Sequence, residues 1–239
     1  MLSLKTGEKK PIPIPEVTST PVLTAAPEVI TGYRPKILMY HLIDPLAAPN
    51  TYLYVSAEKF DKDMSYIKNN GYNTIFPNNI FSANKKDIII TFDDGYEDNY
   101  TNAFPILKKY GMKATIFLIT DKIDTGGMLT RQQIKEMADS GLIEFGSHTK
   151  THNNLTKLTP KEIENEFNQS KSTIFDITGQ RVYSISYPMG LANEDVFDIA
   201  KKYFSVGFMV GGGKASKTHA IALQRMTVTE DVPIKNLLK

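Results

Sequence analysis

The chain reads as an α/β protein built on a parallel sheet, and three features of the sequence lead there. Short runs of β-branched and aromatic residues alternate with segments of helical period along its length, the pattern of repeated βαβ units. Several runs are apolar throughout, as in Ile88-Ile89-Ile90-Thr91-Phe92, and such strands are buried. Polar residues of interest follow the strands directly, and in a parallel barrel those positions share one face. At 239 residues the chain suits a single domain of this kind.

Order is expected from about Tyr33. Residues 1–33 hold Pro11, Pro13, Pro15, Pro21 and Pro27 and show no helical or strand period, so they read as an extended linker or an arm lying on the domain. Residues 34–239 form the folded domain. Pro35 to Ile43 is the first strand candidate, with His41 near its end and Asp44-Pro45 as its stop. Ser56 caps a helix whose Phe60, Met64 and Ile67 recur at helical spacing, and Gly71 closes it. Residues 73–76 read as a short strand, 77–87 as a loop and 87–92 as the central buried strand. A helix from Asn102 ends at Gly111, and a strand covers 113–119. Glu97 and Asp98 are expected to cap that helix, since acids suit its N-terminus.

Thr130 caps the next helix, followed by a strand at 143–148. Thr159-Pro160-Lys161-Glu162 gives a cap, a first-position proline and a third-position acid for a long helix stopping at Gly179. A strand at 182–187, a helix from Asn193, a strand at 205–210 and a last strand at 223–228 complete the chain.

Composition narrows the partners. Hydrophobic residues make up 41% and charged residues 23%, as in ordinary globular domains. The formal charge of +2, with no clustered basic face, predicts no nucleic-acid partner. The absence of cysteine excludes disulfides, thiol catalysis and Cys-ligated zinc. No apolar run reaches the ~18 residues of a membrane span. Met1 is followed by a polar segment, so no signal peptide is expected here; either the protein is cytosolic or a leader or anchor lies upstream. Gly211-Gly212-Gly213-Lys214 lacks the spacing of a phosphate loop.

The chemistry gathers at two places. The buried strand ends in Asp93-Asp94-Gly95. Neighbouring strand residues point to opposite faces, so both carboxylates share a site only if the chain turns there, which Gly95 eases. A surface Asp-Asp-Gly turn is the competing reading. His148-Thr149-Lys150-Thr151-His152 places two of the four histidines at ligand spacing on a helical turn or tight loop. Two imidazoles and one carboxylate make a three-ligand site with room for water, and the second carboxylate is then free to act as a base.

Together these segments resemble the polysaccharide deacetylases, carbohydrate esterase family 4, with its NodB homology domain. Thr91-Phe92-Asp93-Asp94-Gly95 is similar to the first family motif and His148 to His152 to the second, H-[S/T]-x-x-H. Ser186-Tyr187-Pro188-Met189-Gly190 is similar to the third, usually Arg-Pro-Pro-aromatic-Gly. The pattern is closest to the poly-N-acetylglucosamine and Gram-positive cell-wall deacetylases. The resemblance implies a single distorted (β/α) barrel and a hydrolase that removes N-acetyl groups from peptidoglycan or poly-N-acetylglucosamine. It implies a divalent metal, zinc first, with cobalt, nickel or iron(II) as alternatives, held by Asp94, His148 and His152. Asp93 would be the base and the Met189 N–H an oxyanion donor. Tyr187 would line the groove, with Pro188 and Tyr96 against substrate.

The departures fall at the C-terminus. The chain has no tryptophan, and the fourth-motif Asp has no evident counterpart. The Leu-x-His that supplies the general acid is replaced by Leu223-Gln224-Arg225. Ile37-Leu38-Met39-Tyr40-His41 has the required shape at the other end, and first and last strands of a barrel are neighbours. His41 is therefore expected as the acid, with His219 and a structural His41 left open. Arg225 cannot donate a proton and is expected to orient a carboxylate, Asp93 among the candidates. A monomer with a carbohydrate polymer as partner, extracellular or at the cell wall, is the expected setting. An O-acetyl esterase, a small-molecule deacetylase and a non-catalytic sugar-binding module stay open.

Overall fold

A computed structural model of the chain describes residues 32–44, 53–210 and 219–239; the proline-rich segment up to residue 31, residues 45–52 and the glycine-rich stretch lie outside these. The described strands are β1 (Lys36–Tyr40), β2 (Asn73–Thr74), β3 (Asp87–Phe92), β4 (Ala114–Leu118), β5 (Ile143–Ser147), β6 (Ser184–Ser186), β7 (Val206–Val210) and β8 (Leu223–Thr227). All pair in parallel. β1 bonds to β8 on one edge and to β3 on the other, so the ring closes through β8, β7, β6, β5, β4 and β3. The short β2 pairs with Asp87 and Ile88 at the start of β3, which leaves the end of β3 to β4. The expected single distorted (β/α) barrel is the architecture found, a ring of seven strands among the described residues.

Between the strands run α1 (Ala57–Asn69), α2 (Phe104–Tyr110), α3 (Arg131–Asp139), α4 (Pro160–Thr178) and α5 (Glu194–Ala200), and α6 (Ile234–Leu237) follows β8. The helix starts lie where their caps place them. Ser56 accepts from the Lys59 N–H, and Thr130 and Thr159 each close a full capping box. Strand alternation sorts the core. Leu38, Ile90, Ile116 and Phe145 face the helices, while Ile37, Ile89, Phe117, Val206, Phe208 and Leu223 point inward. Both faces are thus dry, which is why the strands read as unbroken apolar runs.

One segment departs from expectation. Before α2 the chain makes a π-helical turn, Asn99–Ala103, and Asp98 gives no capping hydrogen bond. These polar side chains bind the loop after β1 instead. Asp98 accepts from the Ile43 N–H at 2.9 Å, Asn99 donates to the His41 carbonyl at 2.8 Å, and Asn102 donates to the Ile43 carbonyl at 3.0 Å. The backbone from His41 to Ile43 is therefore fixed from the neighbouring connection.

Glu144 lies on the strand face it shares with Gly146 and His148, and its Oε1 is buried without a hydrogen-bond partner. Burial pushes its pKa up to about 7. The folded state then holds a proton that the unfolded chain, with a carboxyl near ~4.3, has released. Stability accordingly falls as pH rises between those two values and stays lowered above them. Glu144→Gln is expected to raise stability above neutral pH by on the order of 2 kcal/mol and to flatten that slope. Denaturant midpoints measured across pH check this; an unchanged slope contradicts it.

Candidate metal centre and active site

β3 delivers two consecutive carboxylates to one place by turning left-handed at its tip. Asp94 has φ 73° and Gly95 φ 82°. A Cβ on Gly95 would also meet Leu118 Cδ2 at 2.6 Å, so glycine is required on two counts. β5 ends one residue before His148. Thr149 (φ 65°) and His152 (φ 64°) are left-handed as well, and they fold the second imidazole back until the ring centroids stand 4.6 Å apart. Of the two geometries open to this spacing, the chain uses the tight loop.

Asp94 Oδ1 lies 3.4 Å from His148 Nε2 and 3.9 Å from His152 Nε2. The three ligand atoms all fall within 4.8 Å of one another. His148 Nδ1 is 2.7 Å from the Ser186 carbonyl, to which it donates, and this turns Nε2 toward the cluster. Two imidazoles and a carboxylate, with one imidazole oriented from behind, fit a divalent ion with open positions.

Asp93 stands beside this cluster but is held from elsewhere. Arg225 on β8 donates to Oδ1 at 2.7 Å and to Oδ2 at 2.6 Å, and the Ser186 hydroxyl donates to Oδ2 at 3.0 Å. The guanidinium also donates to Thr91 Oγ1 and Ser186 Oγ and lies over the Phe117 and Phe208 rings at 5.7 and 5.8 Å. Burial alone would raise the Asp93 pKa; the Arg225 charge, aided by His148 and His41, reverses this and holds the carboxyl well below its usual range. Burial likewise opposes ionisation of Asp94, and the bond and charge of His148 outweigh it and lower its pKa. For His148, burial is outweighed by the two carboxylates and its pKa rises. Burial dominates at His41 and at His152, and both are lowered.

His41 leaves the tip of β1 with Nε2 4.0 Å from Asp93 Oδ2, the same distance as His148 Nε2. Asp93 Oδ2 thus stands equally near both imidazoles. The Tyr96 hydroxyl bonds to Asp94, and burial together with that carboxylate raises its pKa. Met189 is 59% exposed in a left-handed conformation after β6 (φ 58°), and the adjoining Gly190 is pressed onto Val210. His219 is exposed at the head of the turn before β8.

Two expected substrate contacts are corrected. Tyr187 is fully buried, its hydroxyl donating to the Ile221 carbonyl at 2.9 Å and its ring against Phe197 of α5. Strand parity is the reason: Ser186 takes the inward position next to Arg225, so its neighbour points out to the helix layer. Pro188 is buried too. The sequence reading gave no role to Ser186 or Thr91, although both share the inward parity of Asp93, and that parity was the available signal.

The family profile described as polysaccharide deacetylase matches residues 82–204. YxkH of Bacillus subtilis (strain 168), named for the same family, is 40% identical over 202 residues, covering 81% of this chain and 71% of that protein. The poly-beta-1,6-N-acetyl-D-glucosamine N-deacetylase of Staphylococcus aureus (strain MRSA252) is 34% identical over 131 residues, 49% of this chain and 45% of that protein. Among solved structures, BC0361, a polysaccharide deacetylase from Bacillus cereus, aligns with a TM-score of 0.79 at 32% identity, covering 87% of this chain and 69% of that one. The Streptococcus pyogenes deacetylase PplD, solved in complex with acetate, aligns with a TM-score of 0.78 at 31% identity, covering 87% and 98%. With the chain matched by profile and by sequence and its barrel by fold, the chain belongs to the polysaccharide deacetylase family.

Proposed function

We propose that the chain is a metal-dependent N-deacetylase of GlcNAc-containing polysaccharide, poly-N-acetylglucosamine or peptidoglycan, working outside the cell or at the cell wall. One observation carries the reading: three ligand-type side chains converge, while the adjacent Asp93 has both oxygens engaged by Arg225 and stands ready as a separate base. The name of the Staphylococcus aureus relative favours poly-N-acetylglucosamine as the first substrate to try.

Asp94, His148 and His152 would hold the ion, zinc in first place. When bound, it supplies an acidified water and positive charge for the carbonyl oxygen. Asp93 receives the water's proton at Oδ2, the oxygen facing the site. Arg225 keeps that carboxylate ionised and aimed. The water oxygen bonds to the acetyl carbon, and the Met189 N–H steadies the developing oxyanion. His41, its Nε2 4.0 Å from Asp93 Oδ2, protonates the departing nitrogen as the C–N bond breaks. Acetate and a free amine on the sugar result. Tyr96 restrains Asp94 through its hydroxyl.

Asp93→Asn should retain zinc and lower acetate release by ~100-fold or more, and His41→Ala should do the same, as for a lost base or acid. His148→Ala should lose both zinc and activity. Metal analysis and acetate assays on each variant check this; near-normal turnover rejects the role of the residue changed. Acetate release is expected from poly-N-acetylglucosamine or peptidoglycan and not from acetylated xylan, and the opposite order would favour an O-acetyl esterase. Arg225→Met leaves Asp93 buried without its partner. It should cost about 3–5 kcal/mol of stability, part of which Asp93→Asn restores; denaturant titration of the single and double variants checks this.

A further inference from the structure

The turn that carries both histidines is costly to make. Left-handed backbone is strained at a non-glycine residue, and Thr149, being β-branched, is a demanding case. Part of the support is internal: Ser147 Oγ accepts from the Thr149 N–H and Thr149 Oγ1 from the His152 N–H, both at 3.0 Å. The middle of the turn points two successive N–H groups, those of Lys150 and Thr151, away from the histidines. Successive amides of this kind form a nest that attracts an anion.

The anion is supplied by α4. Glu166 is buried, and its Oε2 accepts from the Lys150 N–H at 2.8 Å and the Thr151 N–H at 2.9 Å. Its Oε1 accepts from the Thr151 hydroxyl at 2.8 Å. One helical turn later, Ser170 Oγ meets Ser147 Oγ at 2.7 Å. Glu166 and Ser170 are thus polar interruptions beside Ile163, Phe167 and Ile174 in the buried face of α4, where the other buried polar residue is Thr178 at its end; Glu166 bonds to the histidine turn and Ser170 to Ser147 at its start. The apolar stripe alone would be better served by apolar residues there, so their presence points to the turn.

We propose that Glu166 is a positioning residue for the metal centre: by closing the amide nest it holds His148 and His152 at ligand spacing before an ion arrives. This rests on the reading of Asp94, His148 and His152 as a metal site. The test is zinc affinity of the metal-free chain by calorimetry, with the visible spectrum of added cobalt(II) as a second readout. Glu166→Ala is expected to weaken zinc binding by ~10–100-fold, the usual effect of removing a partner behind the ligands. Glu166→Gln should recover most of it, because its amide oxygen takes both N–H bonds and the Thr151 hydroxyl turns to accept from the amide nitrogen. Ile174→Ala, which weakens the same helix without touching the turn, should leave the affinity unchanged.

Wild-type affinity in Glu166→Ala overturns the proposal. So does a Gln variant as weak as the Ala variant, or an equal loss in Ile174→Ala. If Glu166→Ala does not fold, Thr151→Val decides by removing one of the three bonds: weaker zinc binding supports the proposal and unchanged binding overturns it. A wild-type chain that binds no zinc refutes the metal reading itself, a distinct result.

Discussion

The contact on which most of the site depends is the ion pair between Arg225 and Asp93 inside the barrel. It joins the last strand to the central one across the interior, with two short hydrogen bonds between buried groups. Burying two charges costs several kcal/mol for each, and the cost is offset only by good geometry and satisfied remaining donors. Here the fork of the guanidinium matches the carboxylate, Thr91 and Ser186 take further N–H groups, and Phe117 and Phe208 present their faces to the cation, while Nε alone is buried without a partner among the described residues. Lysine, a single point of charge, would reproduce only part of this. The pair also divides the labour of two adjacent aspartates. Asp93 is claimed from below, and Asp94, turned out by its left-handed backbone, is left to the histidines.

Ser186 ties the two halves together. Its hydroxyl bonds to Asp93 and Arg225, and its carbonyl orients His148. A shift of β6 would therefore move Asp93 and His148 in concert. The strain gathers nearby. Of the five non-glycine residues with positive φ among those described, Asp94, Thr149 and His152 lie in or between the cluster's residues, and Met189 follows the end of β6. Such conformations persist only where neighbouring bonds over-determine them. For the histidine turn those bonds come from Ser147 and Thr149 within it and Glu166 on α4.

Much of this was legible in the sequence because it is local. Caps at Ser56, Thr130 and Thr159 fixed where helices start, and buried runs marked the strands. The motifs at Asp93-Asp94 and His148 to His152 named residues that the fold brings together. The neighbourhood of first and last strands followed from barrel closure, and it sets His41 and Arg225 on either side of Asp93. What was not legible depended on parity and on distant partners. Tyr187 follows a serine that the interior needs, so it faces outward. Asp98 looked like a cap but binds the Ile43 N–H, 55 residues away in the chain. No local period distinguishes those uses of an acidic side chain.

The central claim is that Asp94, His148 and His152 take the ion while Asp93 stays with Arg225. Anomalous diffraction at the zinc edge, from crystals grown with zinc, tests it most directly. The expected result is one peak bonded to Asp94 Oδ1 and to both Nε2 atoms, with the Asp93–Arg225 bonds intact. A peak ligated by Asp93, or one placed away from the two imidazoles, would contradict the account.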